Sequence, residues 1–217
     1  MIKIYQIYFK EDQVSQLEKD FIPYDNINNY NGEGEFYIFL KEYLSGNVKD
    51  NDITGYLSWR FKQKTQISGE NFKNFIENNP GNDLYFINPY PYLMNSHHNS
   101  WMQGEGCHPG IINLIKEVFS QIGYDPDLIT SQRHDTSRST YCNYWVGNKI
   151  FWDRYIAWCK PIYYYIKTNN DPEFRRKMFD INPSNGPHCY FGYILERIIN
   201  VFINLDENKD LKVISYK

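Results

Sequence analysis

The stretch of residues 55–91 constrains the fold of this chain more than any other. It contains two short runs of β-preferring residues, 55–61 and 84–87, which are expected to form strands. Between them, Ser68 is the expected N-cap of a helix over residues 69–78. A strand, a helix and a second strand in this order predict a βαβ unit with parallel strands. Ligands of open α/β sheets bind beyond the carboxyl ends of such strands, so that edge is the expected binding site.

Hydrophobic periodicity extends the alternation of strands and helices to both ends of the chain. Further strands are predicted at residues 2–9 and 141–146, and an edge strand at 213–216. The further predicted helices are at 11–19, 35–44, 111–122, 149–166, 171–179 and 190–204. Turns or loops are predicted at 23–26, through Gly32 and Gly34, and at 90–109, 125–140 and 182–187. Together these elements predict an α/β fold, a single domain with a mostly parallel central sheet flanked by helices.

Length and charge narrow the classes of protein to which the chain can belong. Its 217 residues contain no Gly/Ser-rich or Pro-rich linker, so one domain is expected. A net charge of −3 and a pI near 6.0 argue against nucleic acid or an anionic membrane as the main partner. Lys3 and Gln6 interrupt the apolar amino terminus, which therefore predicts neither a signal peptide nor a membrane span, and a cytoplasmic protein is expected.

Cysteine spacing and missing motifs exclude several classes of site. The sequence has no C-x-x-C pair, which argues against a zinc knuckle, and no predicted secretion signal, which argues against a disulfide framework. The four cysteines are therefore expected to be reduced structural thiols. The P-loop, the G-x-G-x-x-G dinucleotide pattern and the G-x-S-x-G hydrolase motif are also missing from the sequence.

Trp59, Lys62 and Lys64 surround the carboxyl end of the first strand of the central unit. An aromatic ring and two ammonium groups at a strand end suit a nucleobase and a pyrophosphate. Aromatic residues make up 18% of the chain, which is typical of surfaces that stack on rings or sugars, although such residues also pack well in cores. A solvent-exposed basic turn explains the lysines equally well.

A second polar group surrounds the other strand of the unit and the loop at 90–109. Amides, carboxylates and an indole occur there together, as binding of a polyhydroxylated ligand requires. The residues are Asp83, Asn88, Asn95, Asn99, Trp101, Gln103, Glu105 and His108. His97 and His98 lie in the same loop, but the spacing of the three histidines fits no standard zinc pattern.

Glu196 and Arg197 form the third group, inside the predicted helix 190–204. A carboxylate beside an arginine in an apolar helix is as often a buried structural ion pair as a catalytic group. The dipeptide therefore does not distinguish a catalytic role from a structural ion pair.

Seven segments, taken in order, give the chain a resemblance to a known group of proteins. They are IKIYQIYF, PYDN, GYLSWRFKQKT, NDLYFINPYP, NSWMQGEGCHPG, CNYWVGNKIFWDRYI and FGYILERI. Over nearly the whole chain they resemble small glycosyltransferase-like proteins associated with surface-polysaccharide synthesis. The resemblance implies one glycosyltransferase-like domain over residues 1–217, with a GT-A type fold that binds a nucleotide-sugar donor at the carboxyl ends of the central strands.

The chain departs from the GT-A pattern at the expected metal ligands. Such enzymes usually carry Asp-x-Asp on the strand that ends at the donor, whereas here Asp83 begins that strand and the neutral Asn88 follows it. Dependence on Mn²⁺ or Mg²⁺ therefore stays open. Lys62, Lys64 or Arg197 are expected to neutralise the leaving diphosphate.

The function implied is transfer of a sugar from a nucleotide sugar to a carbohydrate hydroxyl. We expect Glu105 to be the general base, with Glu196 and His108 as further candidates and Glu196–Arg197 as support for the site. One alternative is a non-catalytic carbohydrate-binding module that uses the same aromatic and amide surface. Another is a metal-dependent hydrolase that uses the histidine-rich loop. Nucleotide binding separates the transferase from both alternatives.

Overall fold

Six strands form one sheet in the computed structural model, which describes residues 1–28, 34–181 and 189–217. The strands are β1 (Ile2–Tyr8), β2 (Ile22–Asp25), β3 (Ile53–Ser58), β4 (Leu84–Phe86), β5 (Trp145–Gly147) and β6 (Val213–Ser215). Their order across the sheet is β2-β1-β3-β5-β4-β6. The pairs β1–β2, β1–β3 and β4–β6 are parallel, and β5 is antiparallel to both of its neighbours. The predicted mostly parallel sheet is confirmed.

Helices flank the sheet. They are α1 (Phe36–Leu44), α2 (Phe61–Thr65), α3 (Gly69–Asn78), α4 (Pro91–Ser96), α5 (Ser100–Cys107), α6 (Ile111–Gln121), α7 (Leu128–Ser131), α8 (Lys149–Thr168), α9 (Pro172–Phe179) and α10 (Tyr190–Ile203). Six of them confirm predicted helices to within two residues at each end, while the helix predicted at 11–19 is a 3-10 helix over Glu11–Gln16. In the described ranges, no helix combines the length and apolar character needed to span a bilayer.

Side-chain caps explain why three of these helices begin where the sequence predicts. The Ser68 hydroxyl accepts a hydrogen bond from the backbone N–H of Asn71 at 3.2 Å, which caps α3. Asn148 caps α8 and Asp171 caps α9 through bonds of 3.0 Å and 2.7 Å from backbone N–H groups three residues on. These caps satisfy helix N–H groups that would otherwise have no intrahelical partner.

The predicted βαβ unit is present, but its two strands do not pair with each other. β3 and β4 run in the same direction and β5 is inserted between them. Gly55 makes this insertion possible, because a Cβ atom at that position would lie 2.6 Å from the carbonyl oxygen of Trp145. Since Trp145 pairs with Phe86, the segment that precedes β5 reaches the same edge as the carboxyl end of β4.

Successive side chains of a strand point to opposite faces of the sheet, and an apolar core lies on each face. Ile7 and Tyr56 belong to the core that also contains buried residues of α1, α8 and α10. Ile4 and Leu57 belong to the other core, with Phe72 of α3. The cores hold the sheet rigidly, so the strand ends that emerge from it are fixed in position.

Two segments predicted to be irregular are regular structure. The turn predicted at 23–26 is wrong, because residues 22–25 form edge strand β2, and an edge strand tolerates Pro23. The loop predicted at 90–109 contains α4 and α5. Asn99 caps α5 by accepting the N–H groups of Trp101 and Met102 at 3.0 Å and 2.9 Å. Sequence periodicity missed α5 because it is short and contains two glycines.

The remaining differences concern element limits. The strand predicted at 141–146 begins only at Trp145, because Cys142 has a φ of +64°, which interrupts extended backbone. The segment predicted to be irregular at 125–140 contains the short α7. Of the predicted loops, Gly32 and residues 182–187 lie outside the described residues.

Candidate functional site

A cleft of about 470 Å³ opens at the carboxyl ends of β1 and β3, and we call it the strand-end cleft. Residues just beyond these two strands, the start of α1, helix α2 and helix α10 line it. Its charged lining residues are Lys10, Glu35, Arg60, Lys64 and Glu196, and its aromatic lining residues are Phe9, Trp59 and Tyr193. The cleft therefore lies where the strand directions predict a ligand site.

Two glutamines fix the backbone on either side of this cleft. The Gln13 carbonyl oxygen accepts the backbone N–H of Phe9 at 2.7 Å and that of Lys10 at 3.3 Å. The buried Gln6 amide donates to the backbone carbonyl of Trp59 at 3.1 Å. Because these bonds hold both strand ends, the aromatic and cationic side chains that follow them start from fixed positions.

An aromatic and cationic wall forms one side of the strand-end cleft. Trp59 is half-buried, and the guanidinium carbon of Arg60 lies 5.7 Å from the centroid of its ring. Lys10 is exposed on the neighbouring strand end. A flat ring next to cations suits a ligand that combines a base with phosphate groups.

Two carboxyl groups face the cleft from different elements. Glu35 immediately precedes α1 and Glu196 lies in α10. Burial, and after it the charge of Glu196, raises the pKa of Glu35. The Asn143 amide donates to Glu35 Oε2 at 3.2 Å, and its own carbonyl oxygen accepts the Trp145 indole N–H at 3.4 Å. Because the Asn143 carbonyl oxygen accepts the indole N–H, the NH₂ end of the Asn143 amide is the end that faces Glu35.

Lys64 brings a cation to the same part of the cleft. Its ammonium group donates to Cys142 Sγ at 3.2 Å. Burial alone would lower the pKa of Lys64, but the charge of Glu196 and the hydrogen bond to Cys142 favour the ammonium form, and the pKa is raised. Burial raises the pKa of the Cys142 thiol to about 12, so the thiol is neutral near pH 7. Lys64 therefore stays protonated beside two carboxyl groups.

The structure brings three of the sequence-predicted site residues to this cleft, namely Trp59, Lys64 and Glu196. Sequence reasoning missed five others. They are Phe9, Lys10, Glu35, Arg60 and Tyr193. Position alone could have identified Lys10 and Arg60, because each lies within two residues of the end of a predicted inner strand.

Lys62 and Asp83 are predicted site residues that point elsewhere. The Lys62 ammonium lies 3.8 Å from a carboxylate oxygen of Glu18, outside the strand-end cleft. Asp83 lies at the amino end of β4, where it accepts the Asn148 amide at 2.7 Å and the Lys212 backbone N–H at 2.8 Å. Those contacts are structural, because they join β4 to the start of α8 and to β6.

Arg197 faces away from Glu196. Its guanidinium donates to the backbone carbonyl oxygens of Ser100 and Tyr193 at 3.3 Å and 3.1 Å, and to the Gln103 side-chain oxygen at 3.4 Å. Arg197 is buried, and a Cβ atom on Gly104 would lie 2.7 Å from its Nε. Arg197 and Gln103 therefore join α10 to α5.

Glu105 is engaged in the backbone of the next helix. One of its carboxylate oxygens accepts the Gly110 N–H at 2.6 Å and the other accepts the Ile112 N–H at 3.0 Å. These bonds cap α6. Both oxygens of the carboxylate that the sequence predicts to be the general base are therefore already engaged as hydrogen-bond acceptors. His108 is buried and stacks on Tyr193 with ring centroids 3.8 Å apart, so it lies behind the cleft wall.

The other predicted amides and the indole are divided between the core and a separate groove. Asn99 is buried as the α5 cap, and its amide donates to the backbone carbonyls of Ile129 and Gln132 at 3.0 Å and 2.9 Å. Trp101 is fully buried in a core. Asn88 and Asn95 line a different groove of about 710 Å³, near the ends of β4 and β6.

The histidines of segment 90–109 do not converge. His97 Nδ1 lies 3.1 Å from the carbonyl oxygen of Leu93, and His98 Nε2 lies 3.3 Å from that of Ser131. Over the described ranges, no three or more His, Cys, Asp or Glu side chains come together as a metal-binding group. The segment therefore lacks the convergent donors that a zinc site requires.

Comparison with known proteins identifies the fold. No protein-family profile matches the sequence, and neither does any curated protein. Among solved structures, the apo structure of WbbM, a bifunctional glycosyltransferase, matches with a TM-score of 0.57 and 16% sequence identity. The alignment covers 99% of this chain and 44% of that chain, so this chain spans less than half the length of WbbM. At this identity, the likeness shows a shared fold.

Proposed function

We propose that this chain is a glycosyltransferase that binds a nucleotide sugar in the strand-end cleft and transfers the sugar to a hydroxyl group of a carbohydrate. The observation that carries the proposal is the cleft itself, where rings, cations and carboxyl groups meet at the carboxyl ends of β1 and β3. The fold shared with a bifunctional glycosyltransferase supports the same class of reaction. The GT-A assignment and a role in glycan or polysaccharide synthesis belong to the proposal.

The cations of the cleft suit the leaving group of this reaction. When the sugar departs, negative charge develops on the nucleoside diphosphate, and positive groups held nearby stabilise it. Lys10, Arg60 and Lys64 line the cleft and supply such charge. Trp59 offers the aromatic face on which a nucleobase stacks.

Glu196 is the carboxylate best placed to act as the base. It lies on α10, which Arg197 and Asn200 tie to other parts of the structure, and fixed geometry favours proton transfer. In the proposed step Glu196 takes the proton of the acceptor hydroxyl, whose oxygen bonds to the anomeric carbon of the sugar. The bond from that carbon to the diphosphate breaks, and its electron pair leaves with the nucleoside diphosphate.

The two alternatives from the sequence receive less support. A carbohydrate-binding module would use the aromatic surface. It would gain nothing from two half-buried carboxyl groups and a half-buried ammonium group in the same cleft, because desolvating charged groups costs free energy. A hydrolase that uses the histidine-rich segment would need convergent metal ligands, and His97, His98 and His108 make separate contacts.

Nucleotide binding tests the proposal directly. The melting temperature is measured with a panel of nucleoside diphosphates and nucleotide sugars, with and without Mn²⁺ or Mg²⁺. A ligand present at about 100 times its Kd stabilises the folded state by roughly 2.7 kcal/mol, which is easily detected. The absence of stabilisation by any member of the panel would contradict the proposal.

Lys64→Ala and Lys62→Ala form a matched pair on the same helix. Lys64 lines the cleft and Lys62 faces Glu18, so Lys64→Ala should weaken nucleotide binding about tenfold or more, while Lys62→Ala leaves it nearly unchanged. Equal losses in both variants, or no loss in either, would contradict the location of the diphosphate site.

A further inference from the structure

We propose that residues 139–144 form a positioning element of the diphosphate site, in which the Cys142 thiol holds the Lys64 ammonium group at the strand-end cleft. The diphosphate site rests on the proposed function, whereas the contact between Cys142 and Lys64 does not. Lys64 lines the cleft and Cys142 does not, so Cys142 acts through Lys64 and is a positioning residue.

Buried hydrogen bonds anchor this segment to β4 and α10. The Thr140 backbone N–H donates to the side-chain oxygen of Asn200 in α10 at 2.8 Å, and the Asn200 amide donates to the Thr140 carbonyl oxygen, also at 2.8 Å. The Thr140 hydroxyl oxygen lies 3.0 Å from the carbonyl oxygen of Ile87, the residue after β4. Beyond Cys142, the Tyr144 carbonyl oxygen accepts the Ile87 N–H at 2.9 Å. The chain is therefore fixed on both sides of Cys142.

The backbone of Cys142 has an unusual conformation between these anchors. Its φ of +64° lies in the left-handed region, which a residue with a side chain adopts only where the surrounding structure fixes it. The next side chain contacts a different element of the cleft, because the Asn143 amide donates to Glu35 Oε2, just before α1, at 3.2 Å. Cys142 contacts Lys64 in α2. One turn of the backbone therefore joins two elements that line the cleft.

The group that accepts the hydrogen bond of Lys64 is neutral. Lys64 Nζ lies 3.2 Å from Cys142 Sγ, and burial raises the pKa of that thiol to about 12. A neutral acceptor fixes the ammonium group without cancelling its charge, whereas a carboxylate would compete with a bound phosphate. Lys62 in the same helix shows the contrast, because its ammonium group lies 3.8 Å from a carboxylate oxygen of Glu18. A lysine that is already held loses less side-chain freedom when an anion binds, so the contact should raise affinity.

An amine-reactive ester tests the contact in the free protein. The labelling rates of Lys64 and Lys62 are measured by peptide mass spectrometry in wild type and in Cys142→Ala, after melting temperatures confirm that both are folded. Loss of the thiol should raise the Lys64 rate about threefold or more, because the amine is then free to leave its half-buried position. The Lys62 rate should stay the same, since Lys62 faces Glu18. An unchanged Lys64 rate would overturn the proposal.

A double-mutant cycle on the binding of inorganic pyrophosphate, followed by ³¹P NMR titration, tests the positioning role. Cys142→Ala should weaken binding about threefold or more, and Cys142→Ser, whose hydroxyl accepts the same bond, should recover most of the affinity. Cys107→Ala removes an exposed thiol and is the control, which should bind like wild type.

The same substitution in the Lys64→Ala background separates positioning from a general structural effect. Cys142→Ala should cause no further loss there, because Cys142 acts through Lys64. Additive losses, or wild-type affinity in Cys142→Ala, would overturn the proposal and leave the proposed function standing. Faster labelling of Lys64 in a protein that binds neither pyrophosphate nor any nucleotide would confirm the contact, and would overturn both the positioning role and the proposed function.

Discussion

Lowering the pH should weaken the contact between α5 and its surroundings through one buried histidine. His134 is buried, and its Nδ1 accepts the backbone N–H of Ser100, the first residue of α5, at 3.2 Å. The proton of the neutral ring is therefore on Nε2, which is buried with no hydrogen-bond partner among the described residues. Burial, and after it His98, lowers the pKa of His134 from 6.5 to about 4.

The sign and size of the effect follow from this pKa. The folded protein favours the neutral ring. The contribution of His134 to the free energy of unfolding is therefore fully present above about pH 6.5 and is lost as the pH falls toward 4. At 1.36 kcal/mol for each pKa unit, the free energy of unfolding should fall by about 3 kcal/mol over that range because of His134 alone.

Urea denaturation of wild type and His134→Asn at pH values from 7.5 to 4 measures this contribution. The asparagine carbonyl oxygen can accept the Ser100 N–H in place of Nδ1, but it does not titrate. The unfolding free energy of wild type minus that of the variant should fall by about 3 kcal/mol between pH 7.5 and pH 4. Other titrating groups affect both proteins alike and cancel in this difference. Stability curves that stay parallel would refute the reasoning.

Other substitutions test the remaining structural claims. Glu105→Ala should lower stability by about 1–2 kcal/mol, measured by urea denaturation, with turnover per folded molecule unchanged, because the carboxylate caps α6. A large loss of turnover without a loss of stability would restore Glu105 as the base. Gly55→Ala should cost about 3 kcal/mol because the added methyl group meets Trp145, whereas Gly106→Ala in α5, where a Cβ meets nothing within 4 Å, should be neutral or stabilising. Equal effects of the two glycine substitutions would contradict the close approach of β5 to β3. In the native state a thiol reagent should modify Cys107, which is exposed, and should spare the buried Cys142, Cys159 and Cys189. Rapid modification of Cys142 would contradict its burial beside Lys64.

Local signals in the sequence are sufficient to predict much of the fold. The helix at 69–78 and its Ser68 cap are confirmed, because hydrophobic spacing and capping act within a few residues. The insertion of β5 was not predicted, since a three-residue strand is stabilised by pairing with distant strands and by the space that Gly55 leaves. Helix α5 depends in the same way on distant partners, notably Arg197.

Some residues of the candidate site could be predicted from local sequence, and others depend on contacts with distant residues. Trp59 and Lys64 could be predicted because they follow a recognisable strand. Glu35 could not, since what makes it notable is its contact with Asn143, which lies 108 residues away in the sequence. Glu105 illustrates the opposite case, because its position between two glycines indicates an accessible loop, whereas its carboxylate caps α6.

The indole N–H of Trp59 provides the most direct test that a nucleotide binds in the strand-end cleft. Trp59 lines the cleft, whereas Trp158, also half-buried, stacks on Tyr124 with ring centroids 5.4 Å apart and does not line it. In ¹⁵N-labelled protein, with both indole resonances assigned by Trp→Phe variants, a nucleoside diphosphate that stabilises the protein should shift the Trp59 signal and leave the Trp158 signal in place. Saturation by such a nucleotide with no shift of the Trp59 signal would contradict the location of the site.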